Sequence, residues 1–228
     1  MSATRRDFLG QLTTGAAMFG ALPLSAELIG RRFDVGPTSQ TAVEDWDLSW
    51  VNKLTGKRKA VFDVPEVESG YGVWRATIWV NQYQDVLKVP AKELSPVLVL
   101  RHNGIVLAMQ QSFWDKYNIG PEKKVTHPVT QQGTDRNPAL LSSKRNEQPE
   151  MFDPMALDQF IARGGIALAC NLALQEMVDL VKEKAKVTED EARKQVIAAL
   201  VPGVILQPSG VFAALRAQEA GCLYLRAS

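Results

Sequence analysis

Short runs of consecutive apolar residues alternate along most of this chain with longer segments whose apolar positions recur every three to four residues. Ala60-Val61-Phe62-Asp63-Val64 is the first such run, β-branched and aromatic. It is followed by 69–83, where Val73, Ala76, Val80 and Tyr83 share a helical face behind Ser69 as the expected cap. Val97-Leu98-Val99-Leu100, after Pro96, is apolar on both faces, as in a buried parallel strand, and a helix over 105–117 comes next. A helix over 154–163, with Asp153 as cap, meets Gly164-Gly165 and gives way to a strand at 166–170 that ends on Cys170. Helices over 171–184 and 188–200 follow, the second opening with Thr188 and Glu191 in capping-box spacing. A strand at 203–206, a helix at 209–220 and a strand at 223–225 complete the alternation. Ahead of it, Trp46, Trp50 and Leu54 stand at i, i+4, i+8 and predict a short helix over 45–54. Joined by right-handed crossovers, these elements predict an α/β fold, a three-layer α/β/α sandwich with a mostly parallel five-stranded sheet.

Charge and composition narrow the chemistry more than they define it. The 228 residues carry 26 Lys and Arg against 25 Asp and Glu, and no basic stripe interleaved with aromatics points to nucleic acid. Lys57-Arg58-Lys59 reads as a solvated turn before the first strand. Two cysteines cannot build a disulfide scaffold, and without Cys-x-x-Cys or His-x-x-x-His spacing neither a metal site nor a cofactor is expected. The polar segment 118–153 exceeds an ordinary connection; such a length means a lid, an oligomer arm or disorder, and it lacks the Gly-Lys-Ser/Thr ending of a phosphate loop.

Thr4-Arg5-Arg6-Asp7-Phe8-Leu9 precedes a weakly apolar stretch, 9–24, that is too interrupted and too short for a stable membrane span, with Leu24-Ser25-Ala26 as a processing site. The segment resembles a bacterial twin-arginine (Tat) signal, with Arg5 and Arg6 as its paired arginines. That likeness implies export of an already folded protein through the Tat translocase to the periplasm. The expected organisation is a signal peptide at 1–26, a linker at 27–45 and one α/β domain at 46–228 with 118–153 inserted.

Open parallel sheets bind ligands beyond the carboxyl ends of their strands. The residues there are Asp63, Arg101-His102-Asn103-Gly104, Cys170-Asn171 and Gln207-Pro208-Ser209-Gly210. Cys170, between a strand and the first turn of a helix, reads either as a nucleophile or as a small buried hydrophobe. His102 reads as a base for Cys170, as an anion ligand with Arg101, or as a plain hydrogen-bonded strand-end histidine. Arg101, Asn103, Gly104, Asn171, Ser209 and Gly210 form a candidate anion rim, since helix first turns offer unpaired N–H groups. Cys222 is a packing residue or a disulfide partner for Cys170, and His127 lies in the inserted loop.

Four segments carry a family likeness: Gly165-Ile166-Ala167-Leu168-Ala169-Cys170-Asn171; Leu200-Val201-Pro202-Gly203-Val204; Pro208-Ser209-Gly210-Val211; and Gln218-Glu219-Ala220-Gly221-Cys222-Leu223-Tyr224. In this order they resemble the DsrE/DsrF-like proteins over about residues 58–226, and Arg101-His102-Asn103-Gly104 is similar to the His-Gly segment after that family's second strand. The resemblance implies an α/β fold, homo-oligomeric assembly and, as in the sulfur-oxidation members, a cysteine carrying sulfur as a persulfide. Cys170 takes that role, with His102 beside it and a sulfur donor or acceptor protein as partner. The alternative is a non-catalytic oligomeric module that binds a ligand or protein, with Cys170 buried.

Overall fold

The computed structural model describes residues 46–228. The signal-peptide and linker assignments fall in 1–45 and lie outside the described residues. Five strands, β1 (Arg58–Val64), β2 (Leu94–Leu100), β3 (Ile166–Cys170), β4 (Ile205–Gln207) and β5 (Leu223–Arg226), make one sheet. Their order is β4-β3-β2-β1-β5, and every pairing is parallel. The helices are α1 (Tyr71–Asp85), α2 (Gln111–Tyr117), α3 (Ile119–Glu122), α4 (Leu157–Ala162), α5 (Asn171–Ala185), α6 (Glu189–Ala198) and α7 (Gly210–Glu219).

Alternation along the strands assigns side chains to two cores, because successive residues point to opposite faces. Phe62, Val64, Leu98, Leu100, Ala167 and Ala169 pack with α1 and α5 on one face. Val61, Val97, Val99, Ile166 and Leu168 pack on the other with Trp50 and with Ala213 and Ala217 of α7. Helix α5 buries Leu174, Met177, Val178 and Val181, the i, i+3, i+4, i+7 stripe of an amphipathic helix. Each such large side chain contributes about 1.5–3 kcal/mol relative to an exposed one. The architecture is the three-layer sandwich, with its sheet wholly rather than mostly parallel.

Several local expectations give way to tertiary contacts. Ser69 does not cap α1, since Glu68, Ser69 and Gly70 all have positive φ (38°, 54° and 79°) and the Ser69 hydroxyl bonds Thr126 Oγ1 at 2.6 Å. The helix expected over 105–117 is a 3-10 segment, His102–Ala108, then two extended residues, then α2. The break exists because Gln110 N–H donates to Ala199 O (2.8 Å) and Val201 N–H to Ala108 O (2.8 Å), strand-like bonds a continuous helix would forfeit. Asp153 likewise caps nothing: its carboxylate accepts from Ser143 N–H at 2.7 Å and Ser143 Oγ–H at 2.5 Å, and the expected helix becomes a 3-10 segment, Glu150–Met155, before α4. The first expected helix is one 3-10 turn, Ser49–Lys53, in which Trp50 is buried.

Segment 118–153 lies down on the domain instead of standing off as an arm. Asn137 is fully buried, donating from Nδ2 to Leu107 O (3.1 Å) and Met109 O (2.7 Å) while Oδ1 accepts from Ala139 N–H (2.9 Å). Glu147 pairs with Arg136 (2.6 Å) and Arg145 (2.8 Å). Burial raises the Glu147 carboxyl, but the Arg145 hydrogen bond, the Ser142 N–H and Arg136 outweigh it and hold the group below the ordinary carboxylate range. His127 is similarly committed, with Nδ1 accepting from Val129 N–H (3.1 Å) and Nε2 bonded to Glu147 O (2.8 Å).

Candidate functional site

The connections leaving β1, β2 and β3 each step one strand in the same direction, whereas the connection leaving β4 runs back past them to β5. Helix α5 therefore packs on one face of the sheet and α7 on the other, and the exits of neighbouring β3 and β4 diverge. A divergence of this kind opens a crevice at the carboxyl edge of a parallel sheet. Two residues at that edge become helix caps: Cys170, whose Sγ accepts from Ala173 N–H at 3.4 Å, and Ser209, whose Oγ accepts from Phe212 N–H at 3.0 Å. Between them is a pocket of about 350 Å³ lined by Arg101, His102, Cys170, Ser209 and Gly210, with Leu172 and Val211 at its edge. Five residues chosen from separate parts of the sequence thus share one pocket.

Arg101 is the most constrained of them. Its Nε and Nη2 donate to the two carboxylate oxygens of Asp63 at 2.7 and 2.8 Å, a bidentate pair, and Tyr224 OH donates to Asp63 Oδ2 at 2.6 Å. Asp63 is 1% exposed, the one charged residue in the otherwise apolar second half of β1. The Asp63 hydrogen bond raises the Arg101 pKa further, against burial, and Tyr224's own bond to Asp63, followed by burial, raises its phenol. Gly210 completes the fit: a Cβ there would stand 2.5 Å from both Cβ and Cδ of Arg101, so the arginine stem lies directly on the start of α7.

Other rim candidates point elsewhere. His102 has φ +49°, its side chain is 64% exposed, and Nδ1 lies 3.3 Å from Glu66 Oε1; it forms part of the pocket wall but is turned to Glu66 rather than hydrogen-bonded to Cys170. Asn103 donates to Glu66 Oε2 at 2.8 Å. Gly104 offers no free N–H, since it donates to Pro65 O at 2.9 Å, and glycine is required because a Cβ would stand 2.3 Å from Val64 O. Asn171 accepts from Arg193 Nη2 at 2.9 Å and does not line the pocket.

The two cysteines are free and buried, and no disulfide joins them. Cys222 precedes Leu223, which is level with Ala60 and Pro96, while Cys170 follows Ala169, the partner of Leu100. They sit at opposite ends of the sheet, separated along the strands by roughly 20 Å at about 3.3 Å per residue, well past the approximately 7 Å Cα limit of a bridge. Burial pushes the Cys222 thiol up to about 11 despite nearby Lys59.

Sequence reading missed Tyr224, whose phenol reaches Asp63 from the last strand; Gln207, expected at a strand end, is fully buried with Oε1 accepting from Trp50 Nε1 at 3.0 Å. Among the described residues no group of three or more His, Cys, Asp or Glu could hold a metal ion, and no helix is long and apolar enough to cross a membrane.

Fold and site together define a class: an all-parallel three-layer α/β domain with a thiol and an anchored guanidinium in the crevice at its topological switch point. Comparison with known proteins adds no family to this, as no family model matches the chain and no curated protein does.

Proposed function

We propose that the protein carries sulfur as a persulfide on Cys170, as the DsrE/DsrF-like likeness implies, and does so as a homo-oligomer exported by the twin-arginine route to the periplasm. The observation that carries this reading is the placement of Sγ: in the wall of the switch-point pocket, at the first turn of α5, accepting the Ala173 N–H. First-turn N–H groups favour negative charge on a nearby atom, and a thiolate is the nucleophile of sulfur exchange. The Cys170 thiolate attacks the outer sulfur of a donor persulfide; the donor S–S bond breaks, and the donor thiolate leaves with the bonding pair. Cys170 then bears the outer sulfur with its proton, and an acceptor thiolate removes it by the same exchange. No net oxidation occurs.

The test is to incubate the protein with a persulfide donor and map its mass by peptide. Cys170 is expected to gain one sulfur atom and Cys170→Ala none, with Cys222 unchanged. Absence of added sulfur on Cys170, where a competent control thiol loads, refutes the carrier. One observation favours a second reading, a binding module with a closed cysteine: Cys170 is 6% exposed. Alkylation of native Cys170 as slow as that of Cys222 would favour that module.

A further inference from the structure

The guanidinium of Arg101 is held from behind. Asp63, its anchor, does not line the pocket, so the carboxylate lies on the buried side and the cation on the open side. A guanidinium has five N–H donors; two are given to Asp63 and Tyr224 also bonds the group, leaving two. Two other polar side chains at the pocket are engaged outside it, Glu176 with Lys123 and His102 with Glu66. Tyr224 on Asp63 and the absent side chain of Gly210 fix the arginine in place, so the ordering cost of its long side chain is met before any ligand arrives.

We propose that Arg101 is the specificity-determining residue of this pocket, selecting small donors whose transferable sulfur is bonded to an oxyanionic group, with Asp63 and Tyr224 as the positioning residues that aim it. The inference rests on the sulfur-carrier reading of Cys170. The oxyanionic end lies on the free N–H groups of Arg101, a charge-assisted contact that suits the planar fork of arginine. With thiosulfate, the Cys170 thiolate attacks the outer sulfur, the S–S bond breaks, and sulfite leaves with the bonding pair. The persulfide anion and sulfite together carry the charge that thiolate and thiosulfate brought, and neither a proton nor an oxidant is needed.

The experiment compares alkylation of native Cys170 by iodoacetate, an anion, and iodoacetamide, its neutral counterpart, with Cys222 as internal reference. Arg101→Gln is expected to lower the iodoacetate-to-iodoacetamide rate ratio at Cys170 about tenfold, the effect of about 1.4 kcal/mol of lost anion contact. Asp63→Asn and Tyr224→Phe are expected to lower it by smaller factors, the first more than the second, and the Cys222 ratio stays constant. If Arg101→Gln proves unstable, Tyr224→Phe, which leaves the ion pair whole, and the doubly neutral Asp63→Asn/Arg101→Gln variant carry the measurement. A purely structural network would alter both reagents alike, and an unchanged ratio overturns the inference, as does failure of both reagents to reach Cys170. Thiosulfate loading separates the two proposals. An unchanged alkylation ratio in a protein that still takes sulfur from persulfide defeats anion selection alone, whereas a lowered ratio in a protein that takes sulfur from no donor defeats the carrier reading.

Discussion

The Asp63–Arg101 pair makes an unequal prediction about its two halves. Asp63 is 1% exposed, while the Arg101 side chain keeps 30% of its surface in solvent. Removing the cation with Arg101→Met strands a desolvated carboxylate with Tyr224 as its remaining side-chain partner, and breaking a buried pair in this way costs about 3–5 kcal/mol. Asp63→Asn strands a guanidinium that water can still reach, so its cost falls lower, at about 2–3 kcal/mol. The double variant leaves neither charge unpaired and should recover much of the loss, giving a coupling of about 2–3 kcal/mol. Urea unfolding of all four proteins, extrapolated linearly to water with a common slope, closes the cycle. Coupling below about 0.5 kcal/mol, the scale of an exposed surface pair, would refute the claim that the pair is anchored in the interior. So would finding Arg101→Met milder than Asp63→Asn.

Two further outcomes concern other parts of the molecule. Asn137→Ala removes the partners of Leu107 O, Met109 O and Ala139 N–H, and about 3 kcal/mol should be lost through these stranded backbone groups; limited proteolysis should then cut faster within 118–153, and an unchanged cleavage rate counts against the packing described for that segment. Cys222 titrates at about 11 in the fold against an ordinary 9.0. A raised folded pKa gives stability that is complete below about pH 9 and lost as pH climbs to about 11, by about 2–3 kcal/mol at 1.36 kcal/mol per unit. Unfolding free energy measured across that window should fall less steeply in Cys222→Ala, and parallel curves would show that the thiol is not the cause.

What was legible in the sequence follows from how local each cause is. The apolar run of β2 is a strand because it is buried on both faces, and its neighbours in sequence say so. Thr188 caps its helix as expected, since the bond reaches three residues ahead to Glu191, and Ser209, expected only as a helix start, does the same with Phe212. Ser69 and Asp153 have the same cap chemistry and cap nothing, because Thr126 and Ser143 compete for their oxygens. The site divides the same way. Carboxyl ends of strands located Arg101, Cys170 and Ser209, a topological matter. The direction of His102 was invisible, being set by a left-handed backbone and by Glu66. Tyr224 was hidden for a different reason: it meets Asp63 from 161 positions away, and no spacing rule links them.

That distance also bears on how the domain is made. β1 pairs with β2 soon after both are synthesised, but its other edge is covered only by β5. Contacts so far apart in sequence form late and slowly, since closing a long loop must precede any gain from it. Until then a nascent chain presents an apolar strand with an open edge, the kind of surface that recruits other chains, and Asp63 waits for the tyrosine that completes its bonds. The last strand to join the sheet is thus the one that shields the first and completes the bonds of Asp63, so that closure of the sheet and anchoring of Arg101 become a single event.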